Sequence, residues 1–350
     1  MKRALVLGAS GVIGGAIARH LVASTGWEVV CASRGGTAPA GATGVALDLL
    51  DDASCRAAAS AVGPVSHVFF AAYQPRGTRT AEIEPNVRML ANAIDIGSGH
   101  AGVLQRVVLV TGGKYYGLQW GAIRTPARES DPRNLGPNFY YDQEDLLRER
   151  SAGAGWSWSH LIPPFVTGFS AQAPMNLVMA VGVLATLARA TRQPFRFPGT
   201  RASWEALHQL ADAGHIAAAA AWAAESPAAA AGVFNVANGD PSRWQRSWPV
   251  IGRHFGLDTA EPLPLPLPQV VEAHAELWRR LAQQHDLRNP ELATLVDWNW
   301  ADYMFRSAFA NDVVFELGKI RRAGFHDCTD SEGAFLHRLR ELQELRLIPR

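Results

Sequence analysis

Lysine is almost missing from this 350-residue chain: Lys2, Lys114 and Lys319 are the only three, so arginine carries nearly all of the positive charge. Arginine keeps its proton in proteins and offers a planar fork rather than a compact ammonium, which makes each lysine a candidate for chemistry that arginine cannot do. Cysteine is equally sparse. Cys31, Cys55 and Cys328 are odd in number and lack CxxC spacing, which argues against a disulfide framework and against a metal site of the zinc type. The formal net charge is +1 with both signs interspersed, so no electrostatic footprint for nucleic acid or an anionic membrane stands out. The longest uncharged apolar stretch, residues 173–188, contains Asn176 and is shorter than the roughly 20 residues that cross a bilayer, and it reads as a buried helix. Met1-Lys2-Arg3 leads directly into an apolar strand and leaves no room for a signal peptide, so a cytoplasmic protein with reduced thiols is expected.

What is present suffices for a sizeable core: 48% of the residues are hydrophobic and 19% charged. Apolar runs at residues 4–7, 28–31, 45–47, 67–70 and 106–110 alternate with helical patterns. That alternation predicts βαβ units and hence an α/β fold with a Rossmann-type doubly wound parallel sheet. Residues 156–162 form an expected sixth strand, halted by Pro163-Pro164. Beyond them come Ala/Leu-rich helices, tryptophans and a Pro-Leu alternation over residues 262–268, which predicts an extended linker. Residues 233–236 read as a strand returning to the sheet. The expected organisation is a dinucleotide-binding domain over residues 1–165, with a return segment near 205–237. Residues 166–204 and 238–350 then build a smaller, mostly helical substrate-binding lid.

Gly8-Ala9-Ser10-Gly11-Val12-Ile13-Gly14 follows the first strand and opens a helix. Glycines at this GxxGxxG spacing permit a tight turn and close backbone approach to a pyrophosphate, while the helix N-terminus offers unpaired N–H groups. At the end of the second strand, an acidic residue would bind a ribose 2′-hydroxyl and repel a 2′-phosphate. The chain has Ser33 and Arg34 there instead, a phosphate-pairing set that favours NADPH over NADH. Asp48, closing the third strand, suits either the adenine amino group or a helix cap. Leu49, Ala71, Ala72, Thr111, Gly112, Pro163 and Val166 complete the candidate cofactor contacts.

Short-chain dehydrogenases ordinarily place a Tyr and a Lys four apart on one helix, and no lysine here lies four residues after a tyrosine. Lys114 nonetheless follows the fifth strand in Thr111-Gly112-Gly113-Lys114-Tyr115-Tyr116, at the carboxyl edge where open α/β sheets bind ligands. Downstream, the stretch from Asn138 to Asp145, Asn-Phe-Tyr-Tyr-Asp-Gln-Glu-Asp, should begin a helix that projects a phenol into the same crevice. These two segments resemble the TGxKxY and NFYYxxED motifs of the progesterone 5β-reductase and iridoid synthase-like enzymes, an atypical group of extended short-chain dehydrogenases. Similarity extends to residues 195–199, Trp204-Glu205, residues 234–236 and Gly324-Phe325, and so spans essentially the whole chain.

The resemblance implies catalysis by Lys114 and Tyr141, with NADPH-dependent reduction of the C=C bond of an activated enone and stabilisation of the carbonyl oxygen by the phenol. Tyr140 is expected to face the core, because adjacent helical positions point about 100° apart. By register with the family, Tyr73, Trp120, Met175 and Tyr303 should line a pocket for a small hydrophobic carbonyl substrate. The chain departs from the family pattern at Tyr115-Tyr116, Leu118-Gln119-Trp120 and Ile162-Pro163-Pro164, which leaves the substrate's identity open. Reduction of a simple ketone or aldehyde and a noncatalytic NADPH sensor stay open as alternatives, with a sugar-nucleotide epimerase the weakest. A homodimer is also left open.

Overall fold

The computed structural model describes residues 1–170 and 173–350. The first six strands are β1 (Lys2–Leu7), β2 (Trp27–Ser33), β3 (Thr43–Ala46), β4 (His67–Phe70), β5 (Arg106–Val110) and β6 (Ser157–Ile162). Six more follow: β7 (Phe165–Thr167), β8 (Phe195–Arg196), β9 (His208–Asp212), β10 (Gly232–Asn235), β11 (Pro241–Ser242) and β12 (Thr259–Ala260). Seven of them form the main sheet in the order β10-β6-β5-β4-β1-β2-β3, every pair parallel. β1, β4 and β5 are buried throughout or nearly so, which is why they read as unbroken apolar runs rather than alternating ones. The strand order reverses between β1 and β4, and ligands of open α/β sheets bind outside the carboxyl ends at such a point.

Helices α1 (Val12–Ala23), α2 (Asp52–Val62), α3 (Ile83–Ser98) and α4 (Phe139–Ser151) connect or flank these strands. α1 packs against the helix Ala213–Glu225, whose buried face is mostly alanine and therefore lets the two axes approach closely. α5 (Leu177–Thr191) is buried from Leu177 to Leu187, in keeping with its apolar sequence. Among the described residues, no helix is long and apolar enough to cross a membrane.

One local expectation is met and one is corrected in part. Pro163-Pro164 ends β6 but not the extended chain: β7 follows at once and pairs with β9, which pairs in turn with β11 in a separate three-stranded sheet. The strand returning to the main sheet is β10, with Phe234 opposite Leu161 and Asn235 opposite Ile162. The Pro-Leu run is also only half linker. Leu263 N–H donates to the Phe197 carbonyl and Leu265 N–H to that of Pro198, whereas Leu267 and Pro268 open the helix Leu267–Ala273. Proline is tolerated in a first helical turn because the N–H it lacks would have had no partner there. The carboxyl-terminal half is held by aromatic packing, with the Phe195 and Trp248 rings stacked at 4.3 Å and Phe197, Trp204, Trp244, Phe305 and Phe309 gathered around them.

Candidate active site

The glycine-rich turn forms a cradle that side chains would fill. Gly8 has a φ of 77°, and a β-carbon there would stand 2.7 Å from the Ala71 carbonyl oxygen; one on Gly14 would stand 2.3 Å from that of Gly8. Among the described residues no side chain caps α1, which leaves its first-turn N–H groups and positive dipole end facing the cleft as a phosphate site. An open cleft beside the turn is lined by Ser10, Gly11, Gly15, Arg19, Thr37 and Ala38 among others. The Arg19 guanidinium lies back over Gly15, where a β-carbon would sit 3.3 Å from its Nη1.

Ser33 is buried at the end of β2, and its Oγ has no hydrogen-bond partner among the described residues. An orphaned buried hydroxyl beside the exposed Arg34 suits a phosphate oxygen as the missing partner. Asp48 is exposed; its Oδ1 accepts from Leu50 N at 2.9 Å, and Asp51, not Asp48, caps α2 through Ala53 N. Leu49 is buried, Ala71 and Ala72 extend β4 toward Gly8, and Val166 lies in β7. Thr111 Oγ1 lies 2.7 Å from His160 Nε2. A β-carbon on Gly112 would lie 3.8 Å from the Pro163 carbonyl oxygen, so these two backbones face each other across a narrow gap.

Lys114 stands on a four-residue turn, Gly113–Tyr116, directly after β5. Its ammonium donates to the Tyr73 hydroxyl at 3.2 Å and lies 4.7 Å from the centre of that ring. Tyr73 in turn donates to Glu82 Oε1 at 2.5 Å, and Arg79 Nη1 donates to both Glu82 oxygens at 3.2 and 3.1 Å. Glu82 is only 2% exposed. Burial, with Arg79 adding to it and Glu82 opposing, pushes the Lys114 ammonium down to about 8. The Tyr73 phenol is pushed far up by burial and by Glu82.

The Tyr73 ring stacks on Phe139 at 5.7 Å, and Phe139 meets Tyr140 edge-on at 4.5 Å. Tyr140 is half-buried, and a β-carbon on Gly112 would lie 3.7 Å from its hydroxyl, so this phenol sits at the gap between Gly112 and Pro163. Burial raises the phenol, with Glu82 raising it further and Arg79 opposing.

The expected pairing of Lys114 with Tyr141 does not form. Tyr141 is buried, and its hydroxyl donates to the Tyr115 carbonyl at 2.6 Å and accepts from Asn134 N at 3.0 Å. Arg133 covers its ring at 5.0 Å. Tyr141 is thus a clasp between α4 and the turn after β5, and the two adjacent tyrosines exchange the orientations expected of them. The exchange has a local cause. Asn138 caps α4 by accepting from Tyr140 N while its Nδ2 donates to the Lys114 carbonyl, and this fixes the helix's rotation about its own axis.

The same rotation buries Glu144. Its carboxylate accepts from Tyr115 at 2.8 Å and from Arg148 at 2.7 Å, and lies 3.4 Å from His160 Nδ1. Burial opposes ionisation of Glu144, but these neighbours outweigh it and hold the carboxyl down at about 2.

Of the four pocket candidates, the structure brings two to the lysine cluster. Tyr73 holds Lys114, and Tyr303, 38% exposed, has its phenol raised by burial with the Arg79 charge opposing. Trp120 is largely exposed and packs over Gly136, while Met175 is exposed just ahead of α5. Arg19, Arg79 and Glu82 went unread in the sequence because they lie outside the glycine-rich and tyrosine motifs; the Arg-x-x-Glu spacing leading into α3 was the one available signal.

A doubly wound sheet with a glycine-rich first turn, and a lysine and a phenol at its carboxyl edge, defines an oxidoreductase of the short-chain dehydrogenase type. More narrowly, residues 46–349 match the PRISE-like Rossmann-fold domain, and the chain belongs to that family. It is 29% identical over 364 residues to an (S)-8-oxocitronellyl enol synthase of Nepeta racemosa, a match spanning 99% of this chain and 91% of that one. A 3-oxo-Delta(4,5)-steroid 5-beta-reductase of Arabidopsis thaliana is 26% identical over 363 residues, covering 99% and 93%. Among solved structures, a putative epimerase from Burkholderia cenocepacia superposes with a TM-score of 0.70 at 18% identity, over 98% of each chain. The Thermus thermophilus UDP-glucose 4-epimerase complex with NAD reaches 0.66 at 19%, over 97% of this chain and 99% of that one. These two likenesses speak to the fold alone.

Proposed function

We propose that this chain is an NADPH-dependent reductase of the C=C bond of small hydrophobic α,β-unsaturated carbonyl compounds. The observation that carries the reading is the half-buried Tyr140 phenol at the Gly112–Pro163 gap, beside a cluster that holds the half-buried Lys114 ammonium. Relatives named as an enol synthase and a steroid 5-beta-reductase support it.

The glycine cradle and the N-terminus of α1 would hold the diphosphate, and the orphaned Ser33 Oγ with Arg34 would hold a 2′-phosphate. When bound, the reduced dinucleotide supplies the hydride that the β-carbon of the enone takes up. Tyr140 donates a hydrogen bond to the substrate's carbonyl oxygen, where negative charge develops as the hydride arrives, and the enolate so formed takes its α-carbon proton from water to complete reduction of the C=C bond. Lys114 stays largely protonated at neutral pH, since its midpoint is about 8, and its charge favours a more acidic phenol in the crevice. The Tyr73 and Tyr303 rings give the crevice apolar walls that exclude water around the developing charge. In this reading the phenol's role passes from Tyr141 to Tyr140.

Following NADPH oxidation with cyclohexenone-like enones and with the matching saturated ketones tests the proposal. Turnover of the enones, lost in Tyr140→Phe and in Lys114→Met, is expected. Turnover of the ketones alone would replace it with 1,2-carbonyl reduction, and tight NADPH binding without any turnover would remove the enzyme reading altogether.

A further inference from the structure

A lysine that shares a helix with its tyrosine is placed by the helix itself; Lys114 has no such support. It extends a four-carbon stem from a four-residue turn, and holding such a side chain in one rotamer costs side-chain entropy. Its ammonium makes one hydrogen bond among the described residues, to the Tyr73 hydroxyl. A hydroxyl has a single proton to donate, and Tyr73 gives it to Glu82 Oε1. Its lone pairs are thereby committed to the lysine. The buried Glu82 carboxylate thus fixes the polarity of the phenol, and the phenol fixes the ammonium.

The support behind this chain of contacts is itself locked. Asn86, fully buried one turn along α3 from Glu82, donates through Nδ2 to the Glu82 carbonyl at 2.7 Å and to the Gln74 carbonyl at 2.9 Å. Its Oδ1 accepts from Gln74 N at 2.9 Å. That clamp ties the segment bearing Tyr73 to the helix bearing Glu82. Gln143 Nε2 then donates to the Asn86 carbonyl at 2.9 Å, which brings α4 and Tyr140 into the same frame. The segment after β4, α3 and α4 therefore share one hydrogen-bonded support; the Lys114 carbonyl joins it through Asn138, and its ammonium joins it through Tyr73.

We propose that Tyr73 and Glu82 are the positioning pair for Lys114, substituting through a carboxylate-phenol-ammonium chain for the helical spacing that the sequence lacks. The proposal rests on the reading of Lys114 as part of a reductase site and adds to it the groups that hold the ammonium in the crevice. The charged and titratable groups around Lys114 are Tyr73, Arg79 and Glu82, with Tyr140 and Tyr303 coupled to Arg79. Glu82 is the one anion among them. Without it, Arg79 and Lys114 face each other as uncompensated like charges, and the lysine gives up its proton more readily.

The scarcity of lysine makes this directly measurable. Protein carrying isotope-labelled lysine gives three side-chain ammonium signals by NMR, and Lys114→Arg identifies the relevant one. Wild type is expected to titrate near 8. Glu82→Gln should lower that midpoint by about one unit or more, as removal of a close opposite charge does. Tyr73→Phe should lower it less and sharpen the signal by releasing the ammonium, while Glu82→Asp should restore most of the wild-type value. Where substrate is turned over, the alkaline limb of the kcat/KM profile should move by the same interval in the same order.

A Lys114 signal whose midpoint and width are the same in wild type, Glu82→Gln and Tyr73→Phe overturns the proposal. Should Glu82→Gln fail to fold, Tyr73→Phe alone decides, since it keeps the ring stacked on Phe139. Retained NADPH binding shows that each variant keeps its fold. The titration needs no substrate, so a shifted midpoint in a protein that reduces no enone would leave the positioning pair standing and sink the reductase reading instead.

Discussion

Two buried carboxylates lie on either side of this site, and each holds a tyrosine: Glu82 accepts from Tyr73 at 2.5 Å and Glu144 from Tyr115 at 2.8 Å. Beyond the tyrosine they part ways. Around Glu144 the chain of contacts runs inward through Tyr115, His160 and Thr111, in β6 and the segment after β5, while Arg148 of α4 meets the carboxylate from the surface. Around Glu82 it ends on Lys114, a half-buried cation whose position matters only if something else comes to meet it. Similar chemistry thus serves two purposes, and what separates them is whether the last member of the chain faces protein or an opening.

That contrast sets the expected size of each perturbation. Glu144→Ala should have the largest effect on stability, a loss of about 2–5 kcal/mol in urea unfolding, because it strips the buried Tyr115 hydroxyl of its acceptor and the fully buried His160 ring of its neighbouring carboxylate. Tyr140→Phe should cost nearly as much, but in rate: kcat/KM should fall by about 10²–10³-fold while the unfolding midpoint stays near that of wild type. A comparable loss of stability in that variant would break the comparison. Lys114→Met should act in the opposite direction on stability. The folded ammonium titrates at about 8 against an ordinary 10.5, so below 8 both states hold the proton and the fold bears the whole penalty. Between 8 and 10.5 the unfolded state holds more protons, so wild-type stability climbs with pH. The variant should therefore be more stable at pH 7, by on the order of 2 kcal/mol, with the gain fading as pH passes through that window. Tyr141→Phe should do least, removing about 1 kcal/mol of stability with the loss of its bond to the Tyr115 carbonyl while leaving NADPH oxidation intact.

The parallel sheet and the glycine-rich turn could be read from the sequence because their signals are local. Buried strands are continuous apolar runs, and the turn needs glycine where a β-carbon would strike backbone. The choice between Tyr140 and Tyr141 is of another kind. It depends on how α4 is rotated, and that is set by Asn138 reaching the Lys114 carbonyl and Gln143 reaching the Asn86 carbonyl, contacts between segments far apart in the chain. The motif placed both tyrosines at the right edge and gave the crevice to Tyr141, because spacing along the chain carries no information on how the helix is rotated. Arg79 and Glu82 were illegible for a related reason: an ion pair three residues apart usually marks a solvated helix face, and only the fold reveals that Glu82 is buried beneath Tyr73.

The crossing of Gly8 over Ala71 carries a consequence for selectivity. Because a β-carbon at Gly8 or Gly14 would collide with main chain, the crossing itself presents only peptide groups, and peptide groups are the same in every sequence. A dinucleotide straddling that crossing meets nothing there that could tell one such molecule from another. In the proposed reading, discrimination falls to the two extremities, with Ser33 and Arg34 at one end and Tyr140 and Lys114 at the other. The two ends would then diverge independently, so that a change of coenzyme preference and a change of substrate need not compete for the same residue.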